Sequence, residues 1–317
     1  MTASHAIMNK ARAFPGTIAI SGAAGRFGNL LIRRLHRTDD VVSIDPRDFN
    51  RRPADVAHFK TELRRRECRN VFRTGNIRAV IQLGPYHSQE RRQESSRFAT
   101  AIENFSRLLD YCDKYAVEKL VLLSSANVYG ARPSNPQFLT EEAPLLASDL
   151  SALRDVDMMA QSFFWKRPDI ETVILRPAHV TGGVGGVMAR YLRTSPVMRL
   201  MGFDPMIQLI HEEDLVQAIR LALGPGHRGV FNLAGPPPLP LSRIIERLGR
   251  KSLPVPHFMA NRLLGPLRRL GRTNLDPAYV DYLRYVCMVE DSRARTDFGY
   301  SPACGTEETI AAVDIWE

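Results

Sequence analysis

Thr17-Ile18-Ala19-Ile20-Ser21-Gly22-Ala23-Ala24-Gly25-Arg26-Phe27-Gly28-Asn29-Leu30-Leu31-Ile32-Arg33-Arg34-Leu35 decides the fold. A β-branched apolar run ends in a turn with three glycines. Apolar residues then recur at helical spacing, so the stretch reads as strand, glycine turn, helix. Gly22, Gly25 and Gly28 let the backbone turn tightly and approach a pyrophosphate at the helix N-terminus, with Ala24, Arg26 and Phe27 as the other residues of that turn. A second strand, Val41-Val42-Ser43-Ile44, ends in Asp45, 17 residues beyond Gly28. A carboxylate there binds adenosine ribose hydroxyls and repels a 2′-phosphate, which favours NAD over NADP. Arg26 and Arg47 are the opposing residues, since either can pair with a 2′-phosphate.

Working outward, buried strands are expected at Ala79–Gly84, Lys119–Ser124, Glu171–Arg176 and Val230–Leu233. Helices are expected at Ser95–Tyr115, about Leu150–Trp165 and about Glu213–Leu223. The basic stretch to about Phe72 reads as an exposed helix-loop layer. Continuous apolar strands alternating with helices imply an α/β fold with a parallel sheet covered on both faces. Gly182–Pro205 and Gly235–Glu317 break the rhythm. The expected division is residues 1–181, with 207–234 returning, as a dinucleotide-binding domain, and 182–206 with 235–317 as a smaller substrate domain.

The chain has 317 residues, enough for about two domains. Its net charge is +9, with six lysines against 37 arginines. No helix-turn-helix, zinc-finger or aromatic RNA-binding pattern accompanies that charge, so nucleic acid is not an expected partner. No apolar run approaches the roughly 20 residues that span a bilayer. No secretory signal is evident, and Cys68, Cys112, Cys287 and Cys304 form no C-x-x-C pair, so the expectation is a cytoplasmic protein with reduced thiols and no metal. Residues 241–272 carry +7 together with leucines, a composition that suits an anionic membrane surface or an acidic ligand. Arg190, Arg193 and Arg199 are candidates to grip a diphosphate.

The glycine spacing resembles the short-chain dehydrogenase/reductase superfamily. Four further segments resemble its extended NAD-dependent epimerase/dehydratase family: Ser124-Ser125-Ala126-Asn127-Val128-Tyr129-Gly130, Leu175-Arg176-Pro177-Ala178-His179-Val180-Thr181-Gly182, Ile210-His211-Glu212-Glu213-Asp214-Leu215 and Gly229-Val230-Phe231-Asn232-Leu233. The resemblance implies a Rossmann-like doubly wound sheet with a smaller C-terminal substrate domain. It also implies hydride transfer between NAD and a hydroxylated substrate, such as a nucleotide sugar or a lipid-linked compound. Ser125 matches the catalytic serine, beside Ser124. Leu83 and Gly84, followed by Pro85, match a segment whose backbone passes the cofactor. Glu62-Leu63 falls near a pair at the adenine. Pro177, Ala178 and Val180 match the stretch at the nicotinamide. Family members are often homodimers.

One expected motif is missing. The family's acid/base is Tyr-x-x-x-Lys about two dozen residues after the serine, and Leu150 and Arg154 stand in those places. Arginine can hold ribose hydroxyls but is not a base. Tyr86, His87 and His179 are the candidate substitutes, because all three follow strand ends that face the cofactor. Tyr115-Ala116-Val117-Glu118-Lys119 has the right letters but precedes its strand, on the wrong edge of the sheet. His211 and Tyr129 read as structural. The alternative to an enzyme is an NAD(P)-binding sensor or scaffold without catalysis.

Overall fold

The computed structural model describes residues 16–83, 94–147, 151–183, 186–259, 262 and 279–315. Strand β1 (Thr17–Ser21), helix α1 (Arg26–Leu35) and β2 (Asp40–Ile44) form the first unit. They are followed by β3 (Ala57–Phe59), α2 (Arg66–Thr74), β4 (Ile77–Gln82), α3 (Glu94–Lys114), β5 (Lys119–Leu123) and α4 (Ser151–Lys166). Next come β6 (Glu171–Pro177), β7 (His179–Thr181), α5 (Val187–Leu192), β8 (Val197–Leu200), β9 (Met206–Ile207), β10 (Leu209–His211), α6 (Glu212–Ala222) and β11 (Gly229–Leu233). The chain continues with β12 (Leu239–Pro240), α7 (Leu241–Arg247), β13 (Ser252–Val255), α8 (Ser292–Phe298) and α9 (Thr306–Ala311).

Seven parallel strands make the central sheet, in the order β11-β6-β5-β4-β1-β2-β3. Alternate side chains feed two cores, as the two-residue period of a strand requires. Ile18, Ile20, Ile81 and Val121 pack with Leu31 and Ile32 of α1 and Ile219 of α6. Ala19, Val80, Leu120 and Leu122 pack with Phe105 and Leu108 of α3 and Val156 and Ala160 of α4. A third core lies beyond the sheet, where α5, β8, α7 and β13 meet Tyr279, Tyr282 and Ile310.

The stretch expected to be an exposed layer differs. It holds the sheet's edge strand β3, which pairs with β2, and α2 buries Cys68, Val71 and Phe72. Three residues, Ala-His-Phe, are too few to display an alternation. The apolar face of α2 is narrow and lies between arginines. Leu63, also in this stretch, is buried in that core.

Parallel strands have their C-terminal ends on one edge, and the loops there form the site. The misplaced Tyr-x-x-x-Lys lies on the other edge. Lys119 begins β5, is 1% exposed, and is bound to Glu171 and to the carbonyls of Ala222 and Gly224. Gly28 sets how closely α1 approaches the turn, since a Cβ there would lie 2.3 Å from the Ala23 carbonyl oxygen. Gly28→Ala is therefore expected to destabilise by about 1–3 kcal/mol. The check is a lowered urea midpoint with an unchanged slope.

Candidate functional site

The glycine turn is built as a cradle. Gly22 has φ +80°, and a Cβ on it would meet the Leu83 carbonyl oxygen at 2.8 Å. The backbones after β1 and β4 thus cross in contact, joined by a hydrogen bond from Leu83 N–H to the Ser21 carbonyl. Helix α1 starts after Gly25 with no side-chain cap and no acid in its first turn. Its N-terminus therefore keeps its partial positive charge for an anion. These residues fit a dinucleotide pyrophosphate.

Asp45 is 2% exposed at the end of β2. It accepts the Ala24 N–H at 3.1 Å, the Arg47 N–H at 2.9 Å and a two-pronged contact from the Arg47 guanidinium at 2.9 and 2.8 Å. Burial opposes its ionisation, but the hydrogen bonds and charge of Arg47, with the Ala24 bond, outweigh that and hold the carboxyl below the usual range. The two arginines weighed against NAD separate in space. Arg47 lies on Asp45, whereas the Arg26 guanidinium lies against Gly183, 2.8 Å from where a Cβ would stand. Glu62 pairs with Arg64. Gly84, Pro85, Tyr86, His87 and Leu150 lie outside the described residues.

The C-terminal ends of β5, β6 and β11 meet in a buried polar network. Asp157 of α4 accepts two bonds from Arg176 (3.0 and 2.6 Å), one from Gln161 at 2.8 Å and one from the Ser124 hydroxyl. Arg176 also donates to the Tyr129 hydroxyl at 2.8 Å, which in turn donates to Asn232 Oδ1 at 2.8 Å. Asn232 donates onward to the Leu139 carbonyl, and its N–H is held by Glu141. Arg176 and Asp157 are 1% and 0% exposed. Burial disfavours the Arg176 charge, and the Asp157 hydrogen bonds and charge more than offset this, so Arg176 stays protonated. Burial pushes the Tyr129 hydroxyl up to about 12. Tyr129 is thus a neutral structural link, and the Ser124 hydroxyl is committed inward.

Ser125 differs from Ser124. It is partly exposed at the C-terminal end of β5, and its oxygen accepts the Asn127 N–H at 3.2 Å. Its own proton has no hydrogen-bond acceptor among the described residues. On α4, residues four apart share a face, so Leu153 stands one turn before Asp157. It packs against Tyr129, Leu139 and Val289. Arg154 is turned aside, to Asp155 at 3.2 Å and the Ala147 carbonyl at 3.3 Å. The described part of α4 therefore presents an apolar side chain on its sheet-facing side.

His179 begins β7 and meets the ring of Tyr282 edge-on, with centroids 6.0 Å apart. Burial lowers it to about 4, so it is neutral at physiological pH. Tyr282 donates its hydroxyl to the Asn127 carbonyl at 2.7 Å, two residues past Ser125. It belongs to the third core beyond the sheet, and no motif or spacing marked it beforehand. Pro177, Ala178 and Val180 follow β6, with Ala178 N–H bound to the Leu233 carbonyl.

Other candidates resolve by their contacts. Arg193 holds the carbonyls of Gly182, Val313 and Ile315, which makes it a fastening between segments. Burial lowers Arg190, with Tyr279 opposing. Arg243, Arg247 and Arg250 of the basic segment pair with Glu246, Glu307 and Asp314, so much of that local charge is offset; residues 263–272 lie outside the described set. Burial pushes Cys68, Cys112 and Cys287 up to about 12 and, with nearby acids, Cys304 to about 11, which keeps all four thiols protonated. His211, Cys304 and Glu308 bring ligand-type atoms within 4.8 Å. However, His211 Nδ1 accepts the Glu213 N–H, which places the ring proton on Nε2 and leaves no free lone pair for a cation.

The pattern of the NAD dependent epimerase/dehydratase family matches residues 18–234. The chain belongs to that family. An uncharacterized Mycobacterium tuberculosis protein is 28% identical over 312 residues, covering 94% of this chain and 83% of its own. An epimerase family protein of Arabidopsis thaliana chloroplasts is 25% identical over 274 residues, covering 78% and 76%. Among solved structures, the Thermus thermophilus UDP-glucose 4-epimerase in complex with NAD superposes with a TM-score of 0.71 at 20% identity, over 94% of this chain and 98% of that one. The Bacillus anthracis dTDP-glucose 4,6-dehydratase with NAD gives 0.72 at 17% identity, over 94% and 96%. Both share the fold described above.

Two outcomes follow. Arg176→Met strands a buried carboxylate and is expected to cost about 3–5 kcal/mol, while Arg176→Met with Asp157→Leu recovers most of that loss; denaturant titration of both variants measures it. Because the folded-state value of His179 lies below its unfolded value of about 6.5, the unfolded chain binds more protons between about pH 6.5 and 4. Stability therefore falls as pH drops through that window, and His179→Gln should flatten the dependence in thermal melts across it.

Proposed function

We propose that this chain is an NAD-dependent oxidoreductase that moves a hydride between the cofactor and a hydroxylated, nucleotide-linked or lipid-linked substrate, without the family's tyrosine. The observation that carries the reading is Ser125. Its oxygen is anchored by the Asn127 N–H, while its proton is left to donate to a substrate oxygen. The glycine cradle, the uncapped start of α1 and Asp45 support NAD as the cofactor, which supplies the hydride acceptor when bound. Gly22, Ala24, Gly25, Phe27, Gly28 and the backbones of Leu83 and Ser124 would hold it, with Glu62 and Leu63 toward the adenine and Pro177, Ala178 and Val180 toward the nicotinamide.

The proton needs a base in its unprotonated form. His179 stands beside Tyr282, whose hydroxyl binds the serine turn, and is the first candidate acceptor; burial lowers it to about 4, so it serves as a base only where bound substrate relieves that burial penalty. Tyr86, outside the described residues, is the second candidate. Arg154 is tied to Ala147 and Asp155 and would reach ribose hydroxyls only by leaving them. The Thermotoga maritima UDP-glucose 4-epimerase, a structural neighbour, was solved with UDP-glucose, which supports a nucleotide sugar as the substrate class. Arg190 and Arg199 remain candidates to grip a diphosphate. Trp165, 78% exposed on α4, and Met158, 51% exposed on the same helix, support a homodimer. A lipid-linked substrate would give the basic 241–272 segment its membrane role.

Leu150 and Arg154 in the places of the family's tyrosine and lysine favour a second reading, a dinucleotide-binding sensor without turnover. One set of measurements separates the two. Purified protein is titrated with NAD and NADP, copurifying compounds are identified by mass spectrometry, and the reduced-nicotinamide absorbance is followed with those compounds. The enzyme reading expects turnover that falls about 100-fold or more in Ser125→Ala, with NAD affinity retained. NAD binding with no absorbance change for any copurifying or nucleotide-sugar substrate establishes the sensor instead.

A further inference from the structure

Away from the cofactor cradle, the last turns of α1 and the loop after β2 enclose a groove of about 360 Å³ lined by Arg33, His36, Arg37, Arg51, Arg52 and Pro53. Among the described residues, its four arginines pair with no carboxylate, unlike basic residues elsewhere in this region. Arg34, on the same helix, pairs with Glu213, and Lys60 pairs with Asp48. In the groove, Arg33 is held by the Asn29 side-chain oxygen at 2.9 Å and the Arg51 carbonyl at 3.2 Å. Arg52 is held by the carbonyls of Val56 and Phe49 at 3.1 and 3.0 Å. These acceptors are neutral, so they orient two guanidinium groups without cancelling their charge. The guanidinium groups of Arg37 and Arg51 make no hydrogen bond or ion pair among the described residues. Asp55 meets His36 at 3.2 Å and is the acid at this rim.

A basic residue at a helix C-terminus favours the helix by itself, because it faces the negative end of the dipole. That accounts for Arg33 and Arg37. It does not account for Arg51 and Arg52, which arrive from a separate loop and bring more positive charge to the same concavity. Guanidinium groups fixed in a fork bind phosphate oxygens two at a time. A groove of this volume exceeds what a single phosphate fills and lies within the range of small-molecule sites. Arg33 is seven residues along α1 from Arg26, about 10 Å from the helix start that faces the cofactor. The two anion sites are therefore separate.

We propose that this arginine groove binds a chain of two or three phosphates, free or carried by a nucleotide, as a site distinct from the dinucleotide cradle. Calorimetric titration tests it with sodium triphosphate, ATP, NADP and a short DNA duplex, on the full chain and on Arg37→Glu/Arg51→Glu. These two side chains are exposed, and NAD affinity serves as the check that the variant folds.

Triphosphate and ATP are expected to bind the unaltered chain. Equal affinities assign recognition to the phosphates alone, and tighter ATP assigns it to a nucleotide. Each lost guanidinium should weaken either ligand about tenfold, leaving NAD and NADP affinity unchanged. Absence of binding, equal affinity in the double variant, or displacement of triphosphate by NADP overturns the proposal. So does a duplex that binds more tightly than triphosphate.

Discussion

The buried ion pair between Arg176 and Asp157 is the constraint on which the site depends. Two charges removed from water stay ionised only if each finds several partners. Asp157 meets that condition with Ser124, Gln161 and two bonds from Arg176, and Arg176 with Asp157 and Tyr129. Satisfying them fixes the ends of β5, β6 and β11 and the rotation of α4 at once. Ser125 follows Ser124 in the chain, so its position is set by a neighbour whose hydroxyl is locked inward. The open serine thus inherits its precision from the buried one.

The same pair also fixes how α4 is turned against the sheet. With Asp157 held toward β6, the preceding turn of that face belongs to Leu153, and Arg154 is displaced to one side. Near the serine turn, His179 at the start of β7 meets Tyr282, which reaches Asn127 from the far end of the chain.

Much of this was legible in the sequence. Gly22, Gly25 and Gly28 after an apolar strand, with Asp45 ending the next, gave the cradle, because local backbone demands leave local signatures. The parallel sheet followed from apolar strands alternating with helices. What the sequence did not disclose depended on long-range contact. Asp157 carries no sign of its partner 19 residues on, Tyr282 meets the serine turn across 155 residues, and the Leu153 register became visible only once Asp157 was placed. The edge strand β3 was missed because three residues carry no periodicity, and the apolar face of α2 because it is interleaved with arginines. Arg47, weighed as a partner for a 2′-phosphate, is bonded to Asp45, a contact that no local pattern announces.

The Tyr129–Asn232 bond closes over 103 residues of chain, and its donor and acceptor sit on segments that become neighbours only through β5, β6 and β11. Contacts of that separation carry a large loop-closure penalty, which local elements must be in place to repay. The network is therefore a late fastening in folding. Weakening it should leave the refolding rate nearly untouched and accelerate unfolding, so that it governs how long a native molecule lasts more than how quickly one is made. A denaturant chevron whose unfolding limb alone rises in Asn232→Ala is the corresponding signature.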